Sequence, residues 1–331
     1  MRLVGRTILW LGLCALLVVV SFTAEAQQWK KIWRIGFLSA VSPMLYSHLF
    51  TSFVQGLRDH GYIEGRNIVI EARWAEDKFE RLPELAGELV RRKVDLIAAT
   101  GGVVSALAAK NATTTIPITF IAGGDLVKVG LIGSLAHPGG NLTGLSLLTT
   151  ELSVKRLELL NETFPKVRRV AILGNPANPA YAIQVRESQA AAKSLSLQVE
   201  MMEARDPGEF ESAFVAMVEK GTGAALLLSD PMFNAHRERI AGIAIKKKIP
   251  AISEFKEFVE GGGLMSYGTN IVYVYRRLAF YVDKILKGAR PGEIPVEQPL
   301  NFEFFINLKT AKQMGLTIPP NVLARADKVI K

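Results

Sequence analysis

The sequence predicts an α/β protein of two similar lobes, each an open, mostly parallel sheet flanked by helices, hinged by several crossovers. Three observations predict it. Beyond the N-terminal segment, short apolar runs alternate with longer amphipathic stretches, the pattern of βαβ units around parallel sheets. The apolar runs then come in two matching sets, one in each half of the chain. Finally, no Gly/Ser-rich linker separates the halves.

The echo is explicit. Trp33–Ser39 resembles Arg169–Asn175, Asn67–Arg73 matches Gln198–Ala204, and Val94–Thr100 matches Ala224–Asp230. Ile116–Ile121 answers Ile249–Ser253, both opening on Ile-Pro, and Gly139–Gly144 answers Gly262–Tyr267. The first four offsets are about 130–136 residues and the fifth about 123, far too long for a solenoid repeat. Runs apolar on both faces suit strands covered by helices on both sides, so each half is expected to contribute five strands.

Between the strands, Phe79–Arg91 places Leu82, Leu85, Leu89 and Val90 on one helical face. Asp206-Pro207-Gly208-Glu209 reads as a helix start, with a capping acid, proline at the first position and an acid in the first turn. A long amphipathic helix spans Val272–Lys287, a further strand-like run Phe302–Leu308, and a short tail follows. Chain crossings are expected near Leu147–Thr150, Gly268–Asn270 and Gln298–Asn301, and several thin strands between rigid bodies make a hinge. The expected division is 1–26 as leader, 27–148 with about 269–300 as the N-terminal lobe, and 149–268 with about 301–331 as the C-terminal lobe.

The N-terminus carries Arg2 and Arg6, then the nearly unbroken apolar stretch Ile8–Phe22, then Thr23-Ala24-Glu25-Ala26 before polar Gln27-Gln28. This is the layout of a secretory signal peptide, with cleavage expected after Ala26. A membrane anchor fits less well, because an apolar run of about 15 residues falls short of the roughly 20 needed to span a bilayer. A lipoprotein would need a small residue before Cys14, and Leu13 is not small. Cys14 is the one cysteine, so a mature chain without it has no thiol nucleophile, zinc–thiolate site or iron–sulfur cluster. The formal charge of the whole chain is +9, and removing Arg2, Arg6 and Glu25 (+1) leaves +8. Nucleic acid is the obvious partner for a basic chain. The runs Arg91-Arg92-Lys93 and Lys246-Lys247-Lys248, however, sit at helix C-termini where cations complement the dipole. Export points the same way, so no nucleic-acid partner is expected.

Catalytic spacing is missing from the chain. There is no Gly-x-Ser-x-Gly, His-Glu-x-x-His, phosphate-loop or Gly-x-Gly-x-x-Gly pattern. His48, His60, His137 and His236 fall in helices or turns rather than at strand ends, so no metal or general-base role, and no cofactor, is expected.

Several segments resemble a known family. They are Gly56-Leu-Arg-Asp-His-Gly-Tyr-Ile-Glu-Gly-Arg-Asn67, His137-Pro-Gly-Gly-Asn-Leu-Thr-Gly144, Asn175-Pro-Ala-Asn-Pro179 and, most specific, Ile306-Asn-Leu-Lys-Thr-Ala-Lys-Gln-Met-Gly-Leu-Thr-Ile-Pro-Pro320. In them the chain resembles the periplasmic substrate-binding components of ABC transporters of tryptophan/tyrosine type. The resemblance implies a type I periplasmic binding protein fold, a small-molecule ligand held between closing lobes, delivery to an inner-membrane ABC permease, and no catalysis. A monomer is expected. Presentation of the closed form to a membrane receptor or histidine kinase is the alternative, and a periplasmic enzyme on the same fold a further one.

In open α/β sheets the binding crevice lies beyond the carboxyl ends of the strands. That rule selects Ser39, Ser42, Trp74, Thr100-Gly101-Gly102 and Asp125 in the first lobe, and Asn175, Asn178, Asp230, Glu254 and Tyr267 in the second. Thr100-Gly101-Gly102 opens directly into a helix whose free N–H groups suit a carboxylate. Asp125, Asp230 and Glu254 suit an ammonium, and Trp74 or Tyr267 an apolar wall. Together they favour an amino acid or related carboxylate as ligand. Capping is the competing role for Asn175, Asp230 and Glu254, each of which precedes an expected helix.

Overall fold

A computed structural model describes residues 31–331, so the expected leader, 1–26, lies outside the described residues. The first sheet is built from β1 (Trp33–Ser39), β2 (Ile68–Trp74), β3 (Leu96–Thr100), β4 (Ile118–Ala122) and β5 (Leu142–Ser146). Their order is β2-β1-β3-β4-β5, all parallel. Every residue of β3, β4 and β5 is buried, as expected of strands with helices on both faces. The edge strand β2 keeps only Ile68 fully buried.

The helices of this half are α1 (Pro43–Asp59), α2 (Leu82–Arg91) and α3 (Val103–Ala112). The periodic stretch from Phe79 begins as a 3-10 turn over Phe79–Arg81, and α2 starts only at Leu82, next to Pro83. Its buried face is Leu82, Leu85, Ala86 and Leu89.

In the second half β6 (Arg169–Gly174), β7 (Gln198–Glu203), β8 (Ala224–Leu227), β9 (Ala251–Ser253) and β10 (Met265–Thr269) repeat the same order, β7-β6-β8-β9-β10. The sequence echo is thus a repeat of topology. The helices here are α4 (Thr149–Thr163), α5 (Tyr181–Ser194), α6 (Phe210–Glu219), α7 (Pro231–Ala235), α8 (Arg237–Lys247) and α9 (Lys256–Glu260). Asp206 caps as expected, accepting from the Gly208 N–H at 2.7 Å, and Pro207–Glu209 forms a 3-10 turn ahead of α6.

The halves then exchange chain. After β10 the long helix α10 (Ile271–Leu286) packs Val274, Tyr275, Leu278 and Val282 into the first lobe's core beside Phe37, Leu49 and Phe53. The chain passes Leu300 and Asn301 and returns as β11 (Phe302–Asn307), antiparallel to β10, followed by α11 (Leu308–Met314), α12 (Pro320–Leu323) and β12 (Lys328–Ile330). β12 pairs with β11, so the second sheet has seven strands among the described residues: the five of the repeat, the expected run at Phe302, and β12, which was not expected. Three residues in a polar tail carry too little pattern to be seen as a strand; pairing with β11 makes them one. Among the described residues no helix is long and apolar enough to cross a membrane.

Candidate functional site

The carboxyl ends of both sheets face one cavity of about 40 Å³ between the lobes. That is room for about three waters, at roughly 10–15 Å³ each.

The first lobe supplies the turn from β3 into α3. Gly101 and Gly102 have φ of +73° and +94°, a region that side chains strain to enter. A Cβ on Gly102 would lie 3.1 Å from the Pro231 ring of the other lobe. Glycine here satisfies both the turn and the close approach, and leaves the first N–H groups of α3 turned toward the cavity. Tyr46, from the first turn of α1, and Tyr275, from α10, add two buried phenols. The Tyr275 hydroxyl lies beside Thr100 and the Gly101 backbone, and burial raises both phenols well above the usual tyrosine range. Ile121, Leu147 and Ile271 complete an apolar floor.

The second lobe supplies polar groups. Gln184 grips Ser229 from both sides: its Oε1 accepts from the Ser229 N–H at 2.9 Å and its Nε2 donates to the Ser229 carbonyl at 3.2 Å. Ser229 Oγ then donates to Glu254 Oε1 at 2.9 Å. The other Glu254 oxygen, Oε2, is buried without a hydrogen bond, and the nearest cation, Arg156, holds Nη2 at 3.9 Å. Burial pushes Glu254 up to about 7, against the pull of Arg156 and Ser229. Phe255 and Asn178 line the same wall.

Of the residues selected from sequence, Gly101, Gly102, Asn178 and Glu254 reach the cavity wall, with Thr100 directly behind it. The others are placed elsewhere. Ser42 caps α1, accepting from Leu45 N–H at 3.4 Å. Asp125 accepts from Lys128 N–H at 3.0 Å and pairs with the Lys128 ammonium at 2.9 Å. Trp74 packs on Phe37 and Phe50, ring centroids 5.1 and 5.8 Å away. Ser39 is fully buried under the turn. Asn175 closes a turn onto Ala177 N–H at 2.9 Å. Tyr267 packs its ring on Phe302 and Phe304 and offers only its carbonyl inward, to Arg156.

Asp230 is the sharpest case. It sits behind the wall as the cap of α7, accepting from Met232 N–H at 2.9 Å and from Asn178 Nδ2 at 2.9 Å, and burial lifts it to about 6. Asp230→Ala should therefore lower stability by about 1–3 kcal/mol. Asp230→Asn should recover most of it in a denaturant titration. A large affinity loss at unchanged stability would assign Asp230 to the ligand instead.

Strand-end reasoning missed Tyr46, Gln184, Ser229, Tyr275 and Arg156. Tyr46 and Gln184 occupy the fourth position of their helices, one turn beyond the loops the rule selects. Ser229 was passed over for its neighbour Asp230. Arg156, fully buried among Leu157, Leu159 and Leu160, had a signal: an arginine on an apolar helical face.

The lobes also touch directly. Tyr46 Oη accepts from Asn234 Nδ2 at 3.1 Å, His236 Nε2 meets Asp77 Oδ2 at 3.0 Å, and Gly124 N–H donates to Thr149 Oγ1 at 2.6 Å. This is a closed arrangement.

The model of one protein family, described as ABC transporter substrate binding protein, matches residues 38–330. A tyrosine-binding protein of Clostridioides difficile is 30% identical over 288 residues, covering 87% of this chain and 82% of that protein. The crystal structure of an ABC domain from Streptococcus pneumoniae in complex with L-Trp superposes with a TM-score of 0.83 at 26% identity, covering 90% of this chain and 99% of that one. The ligand-free, open structure of a Clostridium difficile substrate-binding protein with adhesive properties, also 26% identical and covering 91% and 99%, reaches only 0.64. At equal identity the better match to the ligand-bound structure agrees with the closed arrangement seen here.

Proposed function

The chain belongs to the ABC transporter substrate-binding protein family, and on that premise we propose that it captures an amino acid, aromatic ones foremost, between its lobes and hands it to an ABC permease. One observation carries the ligand class: a buried carboxylate with a free oxygen, Glu254, and the amide-rich start of α3 share one cavity. The two ends suit the two charges of a zwitterion. The α-carboxylate meets the N–H groups after Gly101-Gly102, and the ammonium meets Glu254 Oε2 in a charge-assisted bond. Tyr46, Tyr275, Phe255 and Ile271 offer an apolar and aromatic surface to the side chain. The tyrosine and L-Trp ligands of the relatives support the same choice.

Both lobes line this cavity and touch beside it, so entry requires the lobes to part, with the three crossings absorbing the rotation. The division into lobes at about 148, 269 and 300, removal of the leader after Ala26, a monomeric periplasmic form and an inner-membrane permease partner belong to the same proposal.

Thermal-shift screening followed by calorimetry tests it. Tyrosine or tryptophan at a hundred times Kd should stabilise the protein by about 2.7 kcal/mol, and their deaminated analogues should bind at least tenfold more weakly. Strong shifts from neutral sugars or nucleosides, with none from amino acids, would refute the reading.

A further inference from the structure

We infer that Arg156 is a positioning residue that keeps Glu254 ionised inside the closed cleft, so that the cleft selects ligands carrying a cation; this rests on the reading of the cavity as an amino-acid site. Arg156 on α4 is the largest side chain fully buried among the described residues. A guanidinium in such a place is costly unless its donors and its charge are met. Nε donates to the Tyr267 carbonyl at 2.8 Å and Nη1 to Ser153 Oγ at 3.2 Å. Nη2 alone is left facing Glu254, at 3.9 Å from Oε2. That is too long for a hydrogen bond and short enough for strong charge attraction in a buried site. Oε2 therefore keeps unused acceptor capacity while a fixed cation stands beside it.

The remaining charges around Glu254 act against ionisation. Asp230 and Glu257 raise it through like charge, and the Tyr46 phenol is coupled to it in the same sense. Arg156 is the cation that opposes them, and burial lowers Arg156 itself only to about 10, so it stays charged at neutral pH. The same side chain sets position as well as charge. Tyr267, whose carbonyl it holds, precedes Gly268, and a Cβ on Gly268 would lie 2.0 Å from the Glu254 carbonyl oxygen. β10 and the Glu254 backbone are therefore in direct contact beside the β10–α10 crossing.

The test is a ¹³C-carboxyl titration of ligand-free protein, with the Glu254 resonance identified by its loss in Glu254→Gln, compared between wild type and Arg156→Met. Calorimetry with tyrosine or tryptophan from pH 6 to 9 accompanies it. In Arg156→Met the Glu254 midpoint should rise by at least one pH unit. Affinity at pH 7 should fall about fivefold or more and recover as pH approaches 9, because the carboxylate is regained. Arg156→Lys should keep the wild-type midpoint within about half a unit. A purely structural role would move stability without moving the pH profile, and coincident Glu254 titrations in wild type and Arg156→Met would overturn the inference. If Arg156→Met does not fold, the wild-type midpoint decides: above pH 9 with Arg156 in place, the inference fails. A wild type that binds no amine-bearing ligand would end the functional proposal, while the carboxyl titration would still judge Arg156.

Discussion

Gly124→Ala is expected to prop the lobes apart and to lower ligand affinity at least tenfold. Gly124 follows β4 in the first lobe at φ +89°, and an added Cβ would stand 2.8 Å from the Ala180 Cβ of the second. Carbon atoms settle at roughly 3.5–4.0 Å, and both backbones are held by caps and turns, so the cleft is the place that gives. If the closed form falls to about one tenth of the population, apparent affinity falls tenfold although every group that meets the ligand is still in place. Ala180→Leu should do the same from the opposite lobe, without the left-handed backbone strain that Gly124→Ala introduces. Small-angle scattering reads the result directly: a larger radius of gyration than wild type in the ligand-free protein. Scattering curves and affinities indistinguishable from wild type in both variants would show that the approach of Gly124 to Ala180 does not limit closure.

The second large effect is a pH dependence whose sign differs between stability and binding. Burial raises Glu254 to about 7 and Asp230 to about 6, so both hold a proton more tightly folded than unfolded. Their contribution to stability is complete below the unfolded carboxyl values near 4 and is lost as pH rises through 6 to 7. Glu257, raised mainly by burial, adds to the same trend. His48, lowered by burial and by Arg237, opposes it. Ligand-free protein should lose about 2–3 kcal/mol between pH 5.5 and 8, roughly 5 °C in Tm. Binding should run the other way. An ammonium ligand needs the Glu254 carboxylate, so affinity should drop about tenfold per unit as pH falls below 7. Glu254→Gln should flatten both profiles and weaken binding roughly ten- to hundredfold, the value of one charge-assisted bond. Parallel Tm and affinity profiles in wild type, or an unchanged profile in Glu254→Gln, would remove Glu254 from the proton balance.

Much of the fold was legible because periodicity is local. Runs such as Leu96–Thr100 and Ala224–Leu227 are apolar throughout, since helices cover both their faces, and their repetition at a near-constant offset revealed two sheets of one order. Chemistry next to a helix was legible too: the Asp206 cap and the Gly101-Gly102 turn follow from φ restrictions and free N–H groups within a few residues. Strand β12 was not, because three residues become a strand only when β11 accepts them.

The cleft itself was half legible. Strand-end reasoning reached Gly101, Gly102, Asn178 and Glu254, and equally selected Ser42, Asp125 and Asp230, which the structure gives to helix and turn N–H groups. A carboxylate before a helix looks the same in sequence whether it caps or binds. Only the packed chain shows whether its oxygens are already taken, as in Asp230, or left over, as Oε2 of Glu254 is. Tyr46, Gln184 and Tyr275 come from three helices spread along the chain and converge only when the sheets face each other. Sequence by itself determined two lobes of one topology and a Gly-Gly helix start at a strand's end. The tertiary structure decided which charges are buried together, and burial raises the proton affinity of Glu254 because its carboxylate loses hydration, with Arg156 opposing the rise and Asp230 and Glu257 adding to it.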